Sequence, residues 1–554
     1  MRRRLLVLLA LSLLSCQAPQ GSSYRSSKSQ SDEALSSSLS SIESSSQTPI
    51  SEESSLESAE KDEQGFIILP KGYLTHEQRP HSFGADVQEK EKSGNLRLFL
   101  GDEPVPVYNV YVNQTHRWDP EAKGRTPAGV ASVSISTGAI FTLACTWVME
   151  GRCKISPSNK NVGLSFDEAH RTVRFELNEP GDYLVEFRGG RALHLFVHEY
   201  EESSPYDESN SIYFGPGVHN KNNDSRLRDS TLRISSGATV YLAEGAFVEA
   251  AFVSTSASGF RILGKGFVDG SAFDRNANTG TRFIPFDFTD CRDFLLEDFA
   301  VLDPAGWCFN LYFCTDFKLN RVKVISSRSN GDGISLQSCK RAVVDGCFLR
   351  TYDDSIVVKN YPRWNNRSIE GETEDIEVRN CLVYTDLAQC LEVGYETVGE
   401  KMERIHFHDI VILAATHKAA LSIHNANNAH LKDVRFEDIV IENLQTGQGD
   451  GAPLLLEFTV AHSPAWSDQH KVTGLGDIDG VIVKNVRVLS GLKTPRISIQ
   501  GSMETRSGYP ASPHKITNVS LENILLQGER LTSDYPAFSL SYAEGITVDG
   551  VSLS

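Results

Sequence analysis

One short strand pattern returns along the C-terminal half of the chain and constrains its fold more than any other feature. From about residue 290, a polar start leads into an alternating apolar strand, then Asn, Gly or Cys, and then a second strand. Nine copies, spaced by 23 to 47 residues, align on the apolar residues Phe294, Phe317, Ala342, Ile376, Ile405, Val434, Val481, Val519 and Ile546. A base period in the low twenties, stretched by loop insertions, is typical of a solenoid.

The strands in these copies are short and rich in β-branched residues, and no stretch shows sustained helical periodicity. The pattern therefore predicts an all-β fold, a right-handed parallel β-helix, rather than a leucine-rich or α-helical array. A β-propeller blade needs about forty residues and four strands, whereas the shortest copies leave room for two or three. Residues 230–270 have the same texture, so the predicted β-helix domain spans residues 206–554.

The residues before the repeats divide into three predicted segments. Residues 66–205 contain hairpin-like strands with turn signals between them, which predicts a small antiparallel β-sandwich. Residues 17–65 are dominated by Ser and predict a disordered tether. Residues 1–16, MRRRLLVLLALSLLSC, have a basic start and a short apolar run, which predicts a signal peptide.

The end of that signal resembles the lipobox of bacterial lipoproteins, in which Cys16 would carry the lipid. We therefore expect an exported protein, either an envelope lipoprotein of the outer membrane or a secreted one. Membrane contact is expected only through this anchor, and the oligomeric state is left open.

Charge and cysteine usage restrict the partners. The formal net charge is −18, which argues against nucleic acid as a ligand and means that a highly anionic polymer would need a local basic pocket. The chain has no CxxC pair, so there is no sequence case for a zinc site. No metal and no cofactor is predicted.

Three aspartates stand out when a second recurring strand is aligned. The copies are DGISLQ, DSIVVK, QCLEVG and AALSIH, and alternation along them predicts an apolar inner face and an outward stripe. In this register Asp332 and Asp354 occupy the same position on adjacent coils, about 4.8 Å apart, and Asp353 precedes Asp354. Aspartate at a strand start is often only a turn former, but stacking three like charges costs free energy unless function compensates.

Glycoside cleavage is the chemistry that needs such a cluster. One protonated carboxyl must donate to the leaving oxygen, and an ionised one must activate water or attack the sugar. Repulsion between neighbouring carboxyls keeps a proton on one of them.

Asn330-Gly331-Asp332 and Asp353-Asp354 resemble the first two motifs of glycoside hydrolase family 28, the polygalacturonase group. The layout also resembles, more loosely, the dextranase and isopullulanase family, which carries a β-sandwich ahead of the β-helix. The resemblance covers roughly residues 212–554. It implies hydrolysis of O-glycosidic bonds in an oligo- or polysaccharide with inversion, in which Asp353 is the general acid while Asp332 and Asp354 hold and deprotonate water.

The chain departs from the polygalacturonase motifs at the positions that read the substrate. Gln389 stands in place of the His of Gly-His-Gly, and Ser422-Ile423-His424 replaces Arg-Ile-Lys. A bidentate Arg is the suitable reader of a sugar carboxylate, so we expect a substrate that is not strictly galacturonate. Aromatic rings can stack on sugar faces. The predicted substrate-binding residues are Asn330, Lys359, Gln389, Glu392, Tyr395, His424 and, in an inserted loop, Trp364.

Two other functions fit the pattern. A non-catalytic glycan-binding or adhesin β-helix would explain the altered motif positions. A pectate-lyase-type polysaccharide lyase would need calcium-binding carboxylates and an Arg base, and the missing Arg counts against it.

Overall fold

The computed structural model describes residues 54–55, 67–68 and 96–553, except 119–122, 137, 146–151, 168–171, 188–190, 275–282, 362–370 and 465–472. The predicted signal peptide, Cys16, most of the tether and Trp364 lie outside the described residues. Across the described ranges, no helix has the length and apolar character needed to cross a bilayer.

Twelve strands form two six-stranded sheets at the N-terminal side. One sheet has the order β1-β9-β10-β7-β3-β4 and the other β2-β8-β11-β12-β6-β5. Their bounds are β1 Ser54–Ser55, β2 Ile67–Ile68, β3 Leu96–Leu100, β4 Glu103–Val105, β5 Tyr108–Asn113, β6 Arg125–Ile135, β7 Ala139–Cys145, β8 Arg152–Ser156, β9 Leu164–Asp167, β10 Thr172–Leu177, β11 Gly181–Phe187 and β12 Arg191–Glu199. A short 3-10 turn spans Ser158–Lys160.

These sheets correspond to the predicted sandwich, with one difference in pairing. The two inner faces share an apolar core that includes Leu98, Phe141 and Val185. The strands pair antiparallel except β12 and β6, which run parallel, with Leu193 opposite Gly129. The predicted antiparallel sandwich is confirmed. Its one parallel pair joins strands that are distant in sequence, and hairpin signals report only strands that are neighbours in sequence.

Most of the remaining strands build a parallel β-helix with three ladders, and a few near the C-terminal end pair antiparallel. Their bounds are β13 Ile212–Phe214, β14 Gly217–His219, β15 Thr231–Arg233, β16 Thr239–Leu242, β17 Ala246–Val248, β18 Ala251–Thr255, β19 Arg261–Gly264, β20 Phe267–Asp269, β21 Phe286–Thr289, β22 Arg292–Glu297, β23 Ala300–Leu302, β24 Phe309–Tyr312, β25 Thr315–Asn320, β26 Lys323–Ile325, β27 Ile334–Gln337, β28 Lys340–Asp345, β29 Phe348–Thr351, β30 Ile356–Asn360, β31 Thr373–Arg379, β32 Leu382–Thr385, β33 Leu391–Thr397, β34 Lys401–Ala415, β35 Leu421–Asn425, β36 His430–Ile441, β37 Leu454–Val460, β38 Ile478–Val488, β39 Arg496–Gln500, β40 Ser502–Glu504, β41 Ser512–His514, β42 Ile516–Glu522, β43 Leu525–Leu526, β44 Glu529–Arg530, β45 Phe538–Ser541, β46 Ala543–Val548 and β47 Val551–Ser552. A second 3-10 turn spans Arg228–Ser230.

The ladder that carries the aspartates has eleven strands in the order β15-β18-β21-β24-β27-β30-β33-β35-β37-β39-β45. The other two ladders stack the strands between them, for example β22 on β25 and β23 on β26. The coils up to β32 contribute one strand to each ladder, whereas the single long strand β34 pairs with both β31 and β32.

The predicted register of the repeat is confirmed. Phe294 pairs with Phe317 and Phe317 with Ala342, and the alignment continues without a slip to Val519 opposite Ile546. The stacked rings of Phe294 and Phe317 lie 4.7 Å apart and nearly parallel. Like residues stack on like because each coil repeats the same inward position.

The sandwich packs against the β-helix within one compact unit, residues 54–554. Apolar side chains from both parts form a shared cluster, in which Phe196 of β12 meets Phe348 edge-on at 5.4 Å. Polar contacts flank it, including a buried ion pair between Lys154 and Glu442 at 3.2 Å. One wall of the β-helix is therefore covered by the sandwich.

Candidate active site

Asp332 and Asp354 lie at equivalent positions on adjacent coils. Strand β27 pairs with β30 in parallel, so that Ile334 faces Ile356, and each aspartate precedes its strand by two residues. The Gly333 amide donates to the Asp354 carbonyl at 2.8 Å. The predicted register is thus confirmed, and it places the two carboxylates about one strand spacing apart, roughly 4.8 Å.

Two glycines let the Asp332 loop approach the next coil. A Cβ on Gly333 would lie 2.4 Å from the Ser355 carbonyl oxygen, and one on Gly331 would lie 2.6 Å from the Arg328 carbonyl oxygen. The Ser326 hydroxyl donates to the Gly331 carbonyl at 2.5 Å. The loop is therefore held by backbone contacts that a side chain at either glycine would break.

The three aspartates differ in exposure, and burial shifts the pKa of one of them. Asp332 and Asp354 are buried, with 3% and 9% of their surface exposed, whereas Asp353 is half-buried. The backbone amide of Gln389 donates to Asp354 Oδ1 at 3.2 Å. Burial raises the pKa of Asp354 to about 7, and the charge of Asp353 adds to this, while Lys359 opposes it. Asp354 therefore retains its proton up to about neutral pH.

Lys359 belongs to the outward stripe, the set of side chains that includes Lys359, Glu392 and His424 on the outward faces of β30, β33 and β35. Its side chain is buried rather than exposed to solvent. Its Nζ is 3.4 Å from Glu396 Oε2 and 3.9 Å from Asp332 Oδ2, and it sits 5.3 Å from the centre of the Trp307 ring. Burial alone would lower the pKa of the Lys359 ammonium, but Glu396 and Asp332 outweigh burial and raise it. The ammonium is therefore charged and already engaged with two carboxylates.

His424 is held between two carboxylates on neighbouring coils. Its Nδ1 is 2.7 Å from Glu392 Oε1, and its Nε2 is 3.3 Å from Glu457 Oε2. Burial would lower the pKa of His424, but Glu392 and Glu457 raise it to about 9. The Ser422 hydroxyl donates to Glu392 Oε2, and the Tyr395 ring stacks on the imidazole at 4.0 Å. His424 is thus an imidazolium at neutral pH.

The structure brings most of the predicted site residues onto one ladder. Lys359, Glu392, Tyr395 and His424 follow the aspartates along β30, β33 and β35, and Gln389 lies just before β33. Asn330 is half-buried in the Asp332 loop and has a positive φ of 53°.

Glu457 was missed by the sequence reasoning. It lies opposite Ser422 in β37, one coil beyond the strands that were aligned. Extending the same register through LLLEFTV would have found it.

The part of the chain that the structure describes contains no group of three or more His, Cys, Asp or Glu side chains arranged to hold a metal ion. The carboxylates instead meet Lys359, His424 and backbone N–H groups. A cluster of carboxyls of which one, Asp354, keeps its proton near neutral pH can perform acid and base chemistry on one face.

Sequence comparison relates the β-helix to carbohydrate-active proteins. Residues 226–447 match the model of the family described as glycosyl hydrolases family 28. A dextranase from Talaromyces minioluteus is 22% identical over 354 residues, which cover 58% of this chain. The match spans 52% of that relative, about half its length.

Structural comparison agrees on the fold. The structure of Dex49A from Penicillium minioluteum matches with a TM-score of 0.53 at 12% identity, covering 87% of this chain and 98% of that one. An exopolygalacturonase from Thermotoga maritima matches with a TM-score of 0.45 at 16% identity, over 61% of this chain and 84% of that one.

Proposed function

We propose that this family 28-like β-helix protein is a glycoside hydrolase that cleaves a neutral oligo- or polysaccharide, with inversion at the anomeric carbon. The proposal rests above all on the carboxylate cluster at the starts of β27 and β30, in which burial holds a proton on Asp354 beside Asp353. A proton retained near pH 7 beside an ionised carboxylate is what glycosidic bond cleavage requires.

The roles follow from exposure and charge. Asp353, which is more exposed than the buried Asp332 and Asp354, donates the proton to the leaving oxygen. Asp332, whose Oδ2 faces the Lys359 ammonium at 3.9 Å, stays ionised and orients the attacking water. Asp354 shares that water, and Asp332 accepts the proton that the water loses as it attacks the anomeric carbon. Each step uses groups already in place, so little reorganisation is needed.

The charge balance of the stripe favours an uncharged sugar. The two cations identified on it, Lys359 and His424, each lie within 4 Å of two carboxylates. Glu392 and Glu457 occupy outward positions on the coils beyond the aspartates. A sugar carboxylate would meet net negative charge there, whereas hydroxyl groups can donate to these oxygens.

A screen of neutral and acidic glycans for new reducing ends tests the proposal. We expect cleavage of a neutral glycan and little cleavage of polygalacturonate. Asp353→Asn should reduce kcat by about 10²- to 10⁴-fold, since it removes the general acid. Asp316→Asn is the matched control, because that aspartate lies on the outer surface beside Arg341.

Several outcomes would contradict the proposal. Cleavage that survives Asp353→Asn would remove the assigned acid, and NMR of the first-formed anomer showing retention would remove the inverting mechanism. A calcium-dependent, ultraviolet-absorbing product would identify a lyase, and glycan binding without any cleavage would identify an adhesin. We further propose export with lipidation at Cys16, which mass spectrometry of the mature N-terminus would test.

A further inference from the structure

A loop of the sandwich runs along the catalytic edge of the β-helix. This sandwich loop, Asn113–Trp118, joins the end of β5 to the residues before β6. Both flanks are anchored on the coil that leads to Asp332. Asn113 Nδ2 donates to the Ser327 carbonyl at 3.2 Å, and Arg125 Nε donates to the Ser327 hydroxyl at 2.8 Å. Arg125, the first residue of β6, also pairs with buried Asp303. The first residue of the loop and the start of β6 are therefore both anchored on Ser327, just before the Asp332 loop.

The middle of the sandwich loop contacts the turn that carries Asp353. The Tyr352 hydroxyl donates to the Arg117 carbonyl and lies 3.3 Å from Thr115 Oγ1. The Tyr352 side chain is fully buried, and its backbone amide donates to Ser326 Oγ at 3.1 Å. The Ser326 hydroxyl in turn donates to the Gly331 carbonyl. Tyr352 therefore joins the sandwich loop, the Asp353 turn and the Asp332 loop.

The contacts continue onto the next coil. Gln114 Nε2 donates to the Tyr384 hydroxyl at 3.2 Å, and His116 Nδ1 donates to the Asp386 carbonyl at 2.7 Å. The sandwich loop thus touches three consecutive coils at the edge where the aspartates lie. A loop that only joined two domains would not need to follow the catalytic turns.

We propose that the sandwich loop is part of the active site, and that Tyr352 is a positioning residue that holds Asp353 against it. This inference rests on the proposed glycosidase function. Without the Tyr352 hydroxyl, the Asp353 turn loses its link to the Arg117 carbonyl while the ring still fills its place. The proton donor is then less well oriented toward the leaving oxygen, although sugar binding by the stripe is retained.

The test compares Tyr352→Phe with Tyr384→Phe in the full chain. Both tyrosines are buried and both hydroxyls bond the same loop, but Tyr384 does not precede a catalytic aspartate. We expect Tyr352→Phe to lower kcat about tenfold or more at unchanged KM and nearly unchanged melting temperature. Tyr384→Phe should retain wild-type kcat. Equal kcat in the two variants, or an equal loss, would overturn the inference.

Hydrogen–deuterium exchange separates failure of this inference from failure of the proposed function. We expect faster exchange across residues 351–355 and 113–118 in Tyr352→Phe than in Tyr384→Phe, whether or not a substrate has been found. If the wild-type protein cleaves no glycan, the proposed function fails, and the exchange data alone decide whether the loop orders the Asp353 turn. Exchange unchanged at residues 351–355 would overturn the positioning role.

Discussion

Replacing Asp354 with Asn should stabilise the fold at alkaline pH while abolishing activity. Burial and Asp353 raise the pKa of the folded carboxyl to about 7, against an ordinary value of 3.8. Between these values the folded state binds more protons than the unfolded state, so wild-type stability falls as pH rises. An Asn side chain is never ionised and still has an oxygen that accepts from the Gln389 backbone amide. The stability of the variant therefore does not fall with pH for this reason.

The interval between the two pKa values sets the size of the effect. At about 1.4 kcal/mol per pH unit, ionising buried Asp354 costs up to about 4 kcal/mol of folding free energy above pH 7. Well below pH 3.8 the carboxyl is neutral in both states, so the variant and wild type should be similar there. The stability advantage of Asp354→Asn should therefore grow by about 3 kcal/mol between pH 5 and pH 8.

Urea unfolding followed by tryptophan fluorescence at pH 5, 6.5 and 8 measures this difference. Asp316→Asn serves as the control, because a hydrogen bond from Arg341 lowers the pKa of Asp316 and the group does not titrate in this window. Its difference from wild type should be independent of pH. If the unfolding free energies of Asp354→Asn and wild type differ by the same amount at all three pH values, the conclusion that buried Asp354 keeps its proton is refuted.

Two stripe variants should move the alkaline limb of the kcat/KM profile in opposite directions, each by on the order of half a pH unit. Glu392 raises the pKa of Asp354 and Lys359 lowers it, so Glu392→Gln should move the limb to lower pH and Lys359→Met to higher pH. Shifts of the same sign in pH-rate profiles would contradict the assignment. Gly333→Ala should lose about 1–3 kcal/mol of stability through overpacking against a backbone oxygen, together with most of its activity. Gly163→Ala, where a Cβ meets nothing within 4 Å, should retain both in urea unfolding and kcat measurements.

The fold and the aspartate cluster could be predicted because both depend on local alternation repeated along the chain. Phe294 and Phe317 pair as aligned, and Ile334 faces Ile356, because parallel coils stack equivalent positions whatever the length of the loops between them. Loop insertions change the spacing of the copies without changing the register within a strand. A family resemblance then assigned chemistry to the cluster.

The sequence by itself determined which side chains share the stripe, and the tertiary structure decided what they contact. Lys359 and His424 were expected to meet the sugar, yet both are buried in ion pairs with carboxylates. Alternation along a strand predicts which face a side chain occupies, but not which other side chains pack over that face. The bond from Tyr352 to Arg117 spans 235 positions of the chain. Such a contact depends on how the sandwich packs against the β-helix, and no local sequence pattern in either part predicts that packing.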